Sequence, residues 1–278
     1  MPPLQPRRAT TDHQHHGKVA LSVPWNKPSA EHPNGRRSRF ANARPVATRS
    51  SIASVFEGGY QEGMTPTEPE GVAQCFDKCA SARGRRARPG SVRGLSRTLL
   101  DLLGRQRIAG RTVLEVGCGL GGLTLASASR GAVRATGVDL SPVAIREASR
   151  LAAEAGLADR VTFAVGDGSR MDLAPHDVVV LDKVICCYPD VDALLDNSLR
   201  ATRLAYGFVV PFSSGWRGVL ARAGIAGENG LRRMRKRPFR AFVHDIDRIE
   251  ARIAEAGLKR VATAGRFVWY LAVYTRHA

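Results

Sequence analysis

The sequence has 278 residues, 44% of them hydrophobic, and a formal net charge of +17. That size can bury one substantial core, and no apolar run approaches the roughly 20 residues of a spanning helix, so a soluble, cytoplasmic chain without a membrane span is expected. Five cysteines, an odd number without zinc-ribbon spacing, fit neither a disulfide framework nor a structural metal site, and no obligate metal is expected.

Residues 1–63 are rich in Pro, Arg, Ser, His and Asn and have few periodic apolar positions. They bury too little apolar surface to offset the entropy of ordering, so a disordered basic extension is expected, with His13, His15 and His16 a solvated cluster. An Arg-rich, acid-poor leader also resembles a transit peptide, a reading open only for a eukaryotic source. Met64 opens the first structured segment and is a candidate natural start, giving a domain over 64–278.

From Gly71 to about Gly104 the pattern is helical, with Leu95, Leu99, Leu100, Leu102 and Leu103 on one face. Strand-like runs follow at Thr112 to Val116, Val133 to Asp139, Val161 to Val165, Asp177 to Leu181, Gly207 to Phe212, Lys259 to Thr263 and Phe267 to Thr275. The first five are short, aliphatic and separated by helical segments, as in a parallel sheet covered on both faces. The last two, parted by Ala264 and Gly265, read as an antiparallel hairpin. The expected fold is α/β: a Rossmann-like, seven-stranded, mostly parallel sheet with helices on both faces and a C-terminal antiparallel hairpin.

The segment Val113-Leu-Glu-Val-Gly-Cys-Gly-Leu-Gly-Gly-Leu-Thr-Leu125 joins a buried strand, a glycine loop and a helix start. Gly117, Gly119 and Gly121 allow a tight turn and close approach of backbone to a ligand. The loop also satisfies the dinucleotide fingerprint, with Gly122 as its last glycine. Glu115 separates the two readings: a carboxylate at the strand end suits the cationic amino-acid part of S-adenosylmethionine and is badly placed beside a pyrophosphate. Asp139, ending the next strand, can accept from both ribose hydroxyls. Ser141 and Pro142 then cap and start a helix whose Ile145, Ala148, Leu151, Ala152 and Ala155 share one face. Gly166-Asp167-Gly168 ends the third strand, where the acid can reach the adenine amine with Met171 as an apolar wall. An ordinary turn residue is the other reading of Asp167.

Glu-Val-Gly-Cys-Gly-Leu-Gly, Gly-Val-Asp-Leu-Ser-Pro and Gly-Asp-Gly resemble the cofactor motifs of class I S-adenosylmethionine-dependent methyltransferases over about residues 70 to 278. That resemblance implies S-adenosylmethionine as cofactor, held by Glu115, Gly117, Cys118, Gly119, Gly121, Asp139, Leu140, Asp167, Gly168 and Asp182. Cys75-Phe-Asp-Lys and Leu181-Asp-Lys-Val-Ile-Cys-Cys-Tyr-Pro-Asp190 are similar to the magnesium-protoporphyrin O-methyltransferase branch. The chain departs from that branch at Cys186-Cys187 and in residues 216 to 244.

Methyl transfer is an in-line displacement, for which an enzyme supplies alignment, desolvation and sometimes a base. The acceptor is expected over the loop after the fourth strand. There Asp182 is a candidate for positioning cofactor or acceptor, and Tyr188 for contacting substrate or acting as a base. His244, in Phe239-Arg-Ala-Phe-Val-His244, is a candidate base beside a structural reading. Residues 213–244 are expected to form an acceptor-side insertion, with Trp216 and Arg240 able to grip the acceptor. Cys186 and Cys187 suit covalent or arsenic chemistry if reactive, and read as inert if buried. The function expected is methyl transfer to a small-molecule acceptor, at oxygen. Two alternatives stay open: an RNA methyltransferase, for which the run Arg232-Arg-Met-Arg-Lys-Arg237 is the evidence, and a cofactor-binding protein without catalysis.

Overall fold

In the computed structural model, whose described residues are 69–84 and 87–276, helix α1 (Pro69–Gly84) and helix α2 (Gly94–Leu103) precede the sheet. The expectations for residues 1–63, for the histidine cluster and for Met64 lie outside the described residues. The helical pattern over Gly71 to Gly104 is therefore not one helix. A turn at Arg88–Ser91, with Gly90 in the left-handed region, separates α1 from α2. Leu99, Leu100 and Leu103 of α2 are buried as their spacing requires.

The short helix α3 (Arg105–Ile108) leads into β1 (Thr112–Val116), followed by α4 (Gly122–Ser129), β2 (Arg134–Asp139), α5 (Pro142–Glu154), β3 (Val161–Val165) and β4 (His176–Asp182). After a single turn of 3-10 helix at Ile185–Cys187 come α6 (Val191–Arg200), β5 (Thr202–Pro211), α7 (Gly215–Met234), α8 (Ile246–Glu255), β6 (Lys259–Arg266) and β7 (Trp269–Thr275). The sheet order is β3-β2-β1-β4-β5-β7-β6, with β1 to β5 parallel and β7 antiparallel to both its neighbours.

Because side chains alternate along each strand, the sheet makes two cores. On one face Val113, Ala135, Val178 and Val180 pack with Leu99 and Leu103 of α2, Leu125 of α4 and Leu151 of α5. On the other, Leu114, Val179, Leu181 and Phe208 meet Leu194 and Leu195 of α6 and Ile249 and Ile253 of α8.

Two strand boundaries differ from expectation by three residues or more, and each involves a glycine read as a strand end or turn. β5 begins at Thr202, and Gly207 lies inside it rather than at its start because a Cβ there would come 3.0 Å from Leu99 Cδ1. Ala264 and Gly265 lie within β6, where a Cβ on Gly265 would sit 2.8 Å from the Phe212 ring. The hairpin instead turns at Phe267 and Val268, with Phe267 at φ 53. Both glycines serve close packing.

The order reverses between β1 and β4, so their connections leave in opposite directions and a crevice opens at their carboxyl ends. The loops after β1, β2, β3 and β4 all border it.

Candidate active site

Ser141 caps α5, its Oγ accepting from the Ala144 amide at 3.0 Å with Pro142 in the first turn. Asp77 of α1 accepts from the Ser141 hydroxyl, and from the Val143 amide at 3.2 Å. This fixes α1 across the start of α5 and brings Val72, Phe76 and Arg83 to the wall of a cavity of about 610 Å3.

The cavity occupies the crevice. Its lining includes Gly117 and Gly119 after β1, Asp139 and Leu140 after β2, Gly166 to Arg170 after β3, and Asp182, Lys183, Val184, Cys187 and Tyr188 after β4. Gly117, Gly119, Asp139, Leu140, Asp167, Gly168, Asp182 and Tyr188 are thus brought together although they come from four separate loops.

Gly119 has φ 51, and no atom lies within 4 Å of the place a Cβ would take. It presents bare backbone to open space. Gly117, at φ 73, is constrained differently: a Cβ would fall 2.3 Å from Val184 Cγ2. The Asp139 carboxylate accepts from the Gly119 amide at 2.8 Å and from the Ser141 amide at 2.9 Å. Burial raises its pKa above the usual carboxylate range, the two amides oppose that shift, and the charge of Asp77 adds to it. Asp167 accepts from the Ser169 amide at 2.9 Å and hydroxyl at 2.7 Å.

Four expected site residues do not line the cavity. Glu115 is buried, and its Oε2 accepts from the Thr124 amide at 2.8 Å and hydroxyl at 2.5 Å, which satisfies a free donor in the first turn of α4. Burial, reinforced by the nearby Asp182 charge and opposed by the Thr124 hydrogen bonds, pushes its pKa up to about 8. Cys118 is buried with its amide donated to Val138 O at 3.0 Å, and burial pushes its thiol up. Gly121 caps α4 in the left-handed region, where a Cβ would meet the Phe163 ring at 2.5 Å.

His244 is the fourth. Its Nε2 lies 2.9 Å from Tyr188 O, and burial lowers its pKa below the ordinary histidine value. It stands behind the loop that carries Tyr188. Met171, expected as an apolar wall, instead packs on Gly166, where a Cβ would fall 2.5 Å from its sulfur.

None of residues 213–244 lines the cavity. Most of the segment is helix α7, and the coil after it supports the walls from outside. Phe239 packs on Phe76 with ring centroids 5.0 Å apart, and the Phe242 amide donates to Cys186 O at 2.8 Å. Trp216 is exposed, and the Arg240 guanidinium donates to the carbonyls of Arg237 and Phe239.

Lys183 is a site residue that spacing did not single out. It has φ 60, uncommon for a side chain with a Cβ. Its ammonium donates to Asp182 Oδ1 at 2.5 Å and to Ser96 Oγ at 2.8 Å, and Ser96 in turn donates to Asp182 Oδ2. The Asp182 carboxylate is thereby held by α2 as well as by β4. The Tyr188 phenol lies near Asp167, and burial first, then the Asp167 charge, raises its pKa far above the ordinary phenol value. A phenol held neutral in this way donates a hydrogen bond and does not serve as a base at neutral pH. Cys187 lines the cavity, while Cys186 is buried beneath it.

Residues 113–204 match a family described as Methyltransferase domain. Over 57 residues, 20% of this chain and 16% of the relative, the sequence is 44% identical to the probable tocopherol O-methyltransferase, chloroplastic, of Oryza sativa subsp. japonica. Over 85 residues, 30% of this chain and 22% of the relative, it is 47% identical to aclacinomycin 10-hydroxylase RdmB of Streptomyces purpurascens. The chain thus spans less than a quarter of the length of these curated relatives. The crystal structure of magnesium protoporphyrin IX methyltransferase (ChlM) from Synechocystis PCC 6803 with bound SAH is similar at TM-score 0.58 and 20% identity, over 76% of this chain and 100% of that one. At such identity the likeness is one of fold. Residues 113–204 thus match a methyltransferase domain, and the fold is similar to that of a methyltransferase of known structure.

Proposed function

We propose that this protein transfers a methyl group from S-adenosylmethionine to a small-molecule acceptor, at oxygen. One observation carries the reading: Asp139, Asp167 and the bare backbone at Gly119 all line one cavity that continues past Asp182 to an apolar wall from α1. Each carboxylate has amide or hydroxyl donors on one side and retains acceptor capacity for ligand hydroxyl or amino groups. The residues therefore suit an adenosyl ligand, with Asp139 on the ribose, Asp167 on the adenine amine and Gly119 admitting the chain close to both.

When bound, the cofactor supplies an electrophilic methyl carbon on a sulfonium. The protein's own part is to orient and to exclude water. Phe76, Val72 and Val184 make the acceptor side apolar, and Arg83 and Arg170 add positive charge, which suits an acceptor with an apolar body and an anionic group. Asp182, held by Lys183 and Ser96, is placed to accept a hydrogen bond from the acceptor hydroxyl. Likeness to a protein named as an O-methyltransferase supports oxygen as the acceptor atom.

A second reading, cofactor binding without methyl transfer, is favoured by the likeness to a protein named as a hydroxylase. Incubating the full chain with methyl-tritiated S-adenosylmethionine and cell extract, then fractionating, separates these readings. Label in solvent-extractable small molecules is expected. Label in RNase-sensitive material would replace the acceptor class, and saturable cofactor binding with no label in any fraction would favour the second reading.

A further inference from the structure

Helix α7 is inside out. On a wheel of about 100° per residue, Trp216, Val219, Leu220, Leu231 and Met234 fall within an arc of about 120°. Such a stripe ordinarily faces a core, yet all five side chains are exposed, Trp216 at 65% and Met234 at 76%. Ala223, Gly227 and Gly230 occupy the middle of the same arc and leave it flat.

The opposite side of α7 faces the body with small and polar groups around a single large apolar residue, the half-buried Ile225. Gly218 and Ala221 are buried, and a Cβ on Gly218 would come 2.6 Å from the Ser213 backbone. Asn229 exchanges hydrogen bonds with the Ala241 backbone at 2.8 and 2.9 Å, and the Arg232 guanidinium sits 4.4 Å from the Phe239 ring centroid. The body therefore holds the helix mainly by small and polar groups and Ile225, and leaves the larger apolar stripe outside. At the N-terminal end the surface continues towards the β6–β7 turn, where Phe267 is 68% exposed. The link is Arg217, stacked on both Phe212 and Trp216 and close to Gly265.

Charge indicates what covers this face. Exposed Arg222, Arg233, Arg235, Lys236 and Arg237 flank the stripe or follow its last turn, and the one acid in the helix, Glu228, is paired with Arg232. A second copy docked through the same face would bring two such cationic sets together. A phosphate backbone would match the charge and leave the apolar stripe without a partner. An interfacial helix requires both features, apolar side chains for the acyl boundary and cations for anionic headgroups.

We propose that α7, with Phe267 beside its first turn, docks this protein on an anionic membrane surface as a peripheral contact. This concerns a face outside the cavity and does not depend on the methyl acceptor. No helix of the described residues is long and apolar enough to cross a membrane, so the contact lies in the plane of the interface.

The test is flotation of the full chain with phosphatidylcholine vesicles containing about one-third phosphatidylglycerol, against phosphatidylcholine alone. Co-flotation with the anionic vesicles is expected, weakened by salt. The double substitution Leu220→Asp with Met234→Asp should reduce it by roughly tenfold or more, with circular dichroism and Tm confirming a folded variant. If that variant does not fold, quenching of Trp216 by brominated lipid in the unaltered protein, with Trp216→Phe as control, gives the same answer. The proposal is overturned by absence of flotation with anionic vesicles, by equal binding to neutral ones, or by binding that the stripe substitutions leave unchanged. A solution dimer dissolved by those substitutions, or RNA that protects Trp216 where vesicles do not, would likewise overturn it.

Discussion

The Gly119 amide donates to Asp139 Oδ2 at 2.8 Å, so the acid that ends β2 is tied to the glycine loop that follows β1. Asp139 thus helps to shape the loop, and in the proposed reading it also offers oxygen atoms to a ligand. Asp139→Ala should weaken S-adenosylmethionine binding by one or two charge-assisted hydrogen bonds, each about 1.5–3 kcal/mol. That is at least about tenfold in Kd. Asp139→Asn, which keeps an acceptor and loses the charge, should fall between the two. Calorimetric affinity unchanged in Asp139→Ala would place the ribose elsewhere.

Gly117 and Gly119 are predicted to fail differently. At Gly117 a Cβ meets Val184 at 2.3 Å, so Gly117→Ala should lower Tm by several degrees before any ligand is added. At Gly119 the Cβ enters open space, and only positive φ opposes it, at roughly 1 kcal/mol. Gly119→Ala should stay folded and bind cofactor less well. Equal thermal losses in the two variants would contradict the geometry.

Glu115 predicts a pH dependence of stability. Its pKa is 4.5 ordinarily and about 8 in the folded protein, chiefly through burial. Between those values the folded form keeps a proton that the unfolded chain has released, so the group's contribution falls as pH rises and is lowest above pH 8. Glu115→Gln keeps the acceptor for Thr124 and removes the titration. Its Tm should match the natural protein near pH 5 and exceed it near pH 9, by about 2–4 °C for each kcal/mol relieved. A variant that loses ground as pH rises would show that Glu115 is stabilised as a carboxylate.

Tyr188 is predicted to act through Asp167. Tyr188→Phe removes a neutral phenol beside that carboxylate in the cavity lining, and should raise the KM for cofactor several-fold, about 1 kcal/mol, with little change in kcat. The pH–rate profile should keep its shape. Loss of its alkaline limb would make the phenol the base.

The strand–loop–helix units around Glu115, Asp139 and Asp167 are local, and their order was readable from spacing alone. β1 and β3 have the expected bounds, and Ser141 and Pro142 cap α5 as their residue types require. Long-range packing was not readable in this way. Gly265 resembles a turn residue until Phe212 is placed against it, and Glu115 resembles a ligand until Thr124 takes its oxygen. The cavity wall from α1 depends on Asp77 reaching Ser141, a contact between distant parts of the chain. The residue run Cys75-Phe-Asp-Lys was noticeable by resemblance, and its geometry now has a reason. In residues 213–244, polar and aromatic content suggested a lid, but the helix turns its large apolar residues outward, away from any wall.

The most direct test of the cofactor crevice is calorimetric titration of the full chain with S-adenosylhomocysteine and, in parallel, with NAD. One saturable site is expected for the homocysteine ligand, lost in Gly119→Val with folding retained, and no binding of the dinucleotide. Saturable NAD binding that Gly119→Val abolishes, or no binding of either ligand by the folded protein, would contradict this expectation.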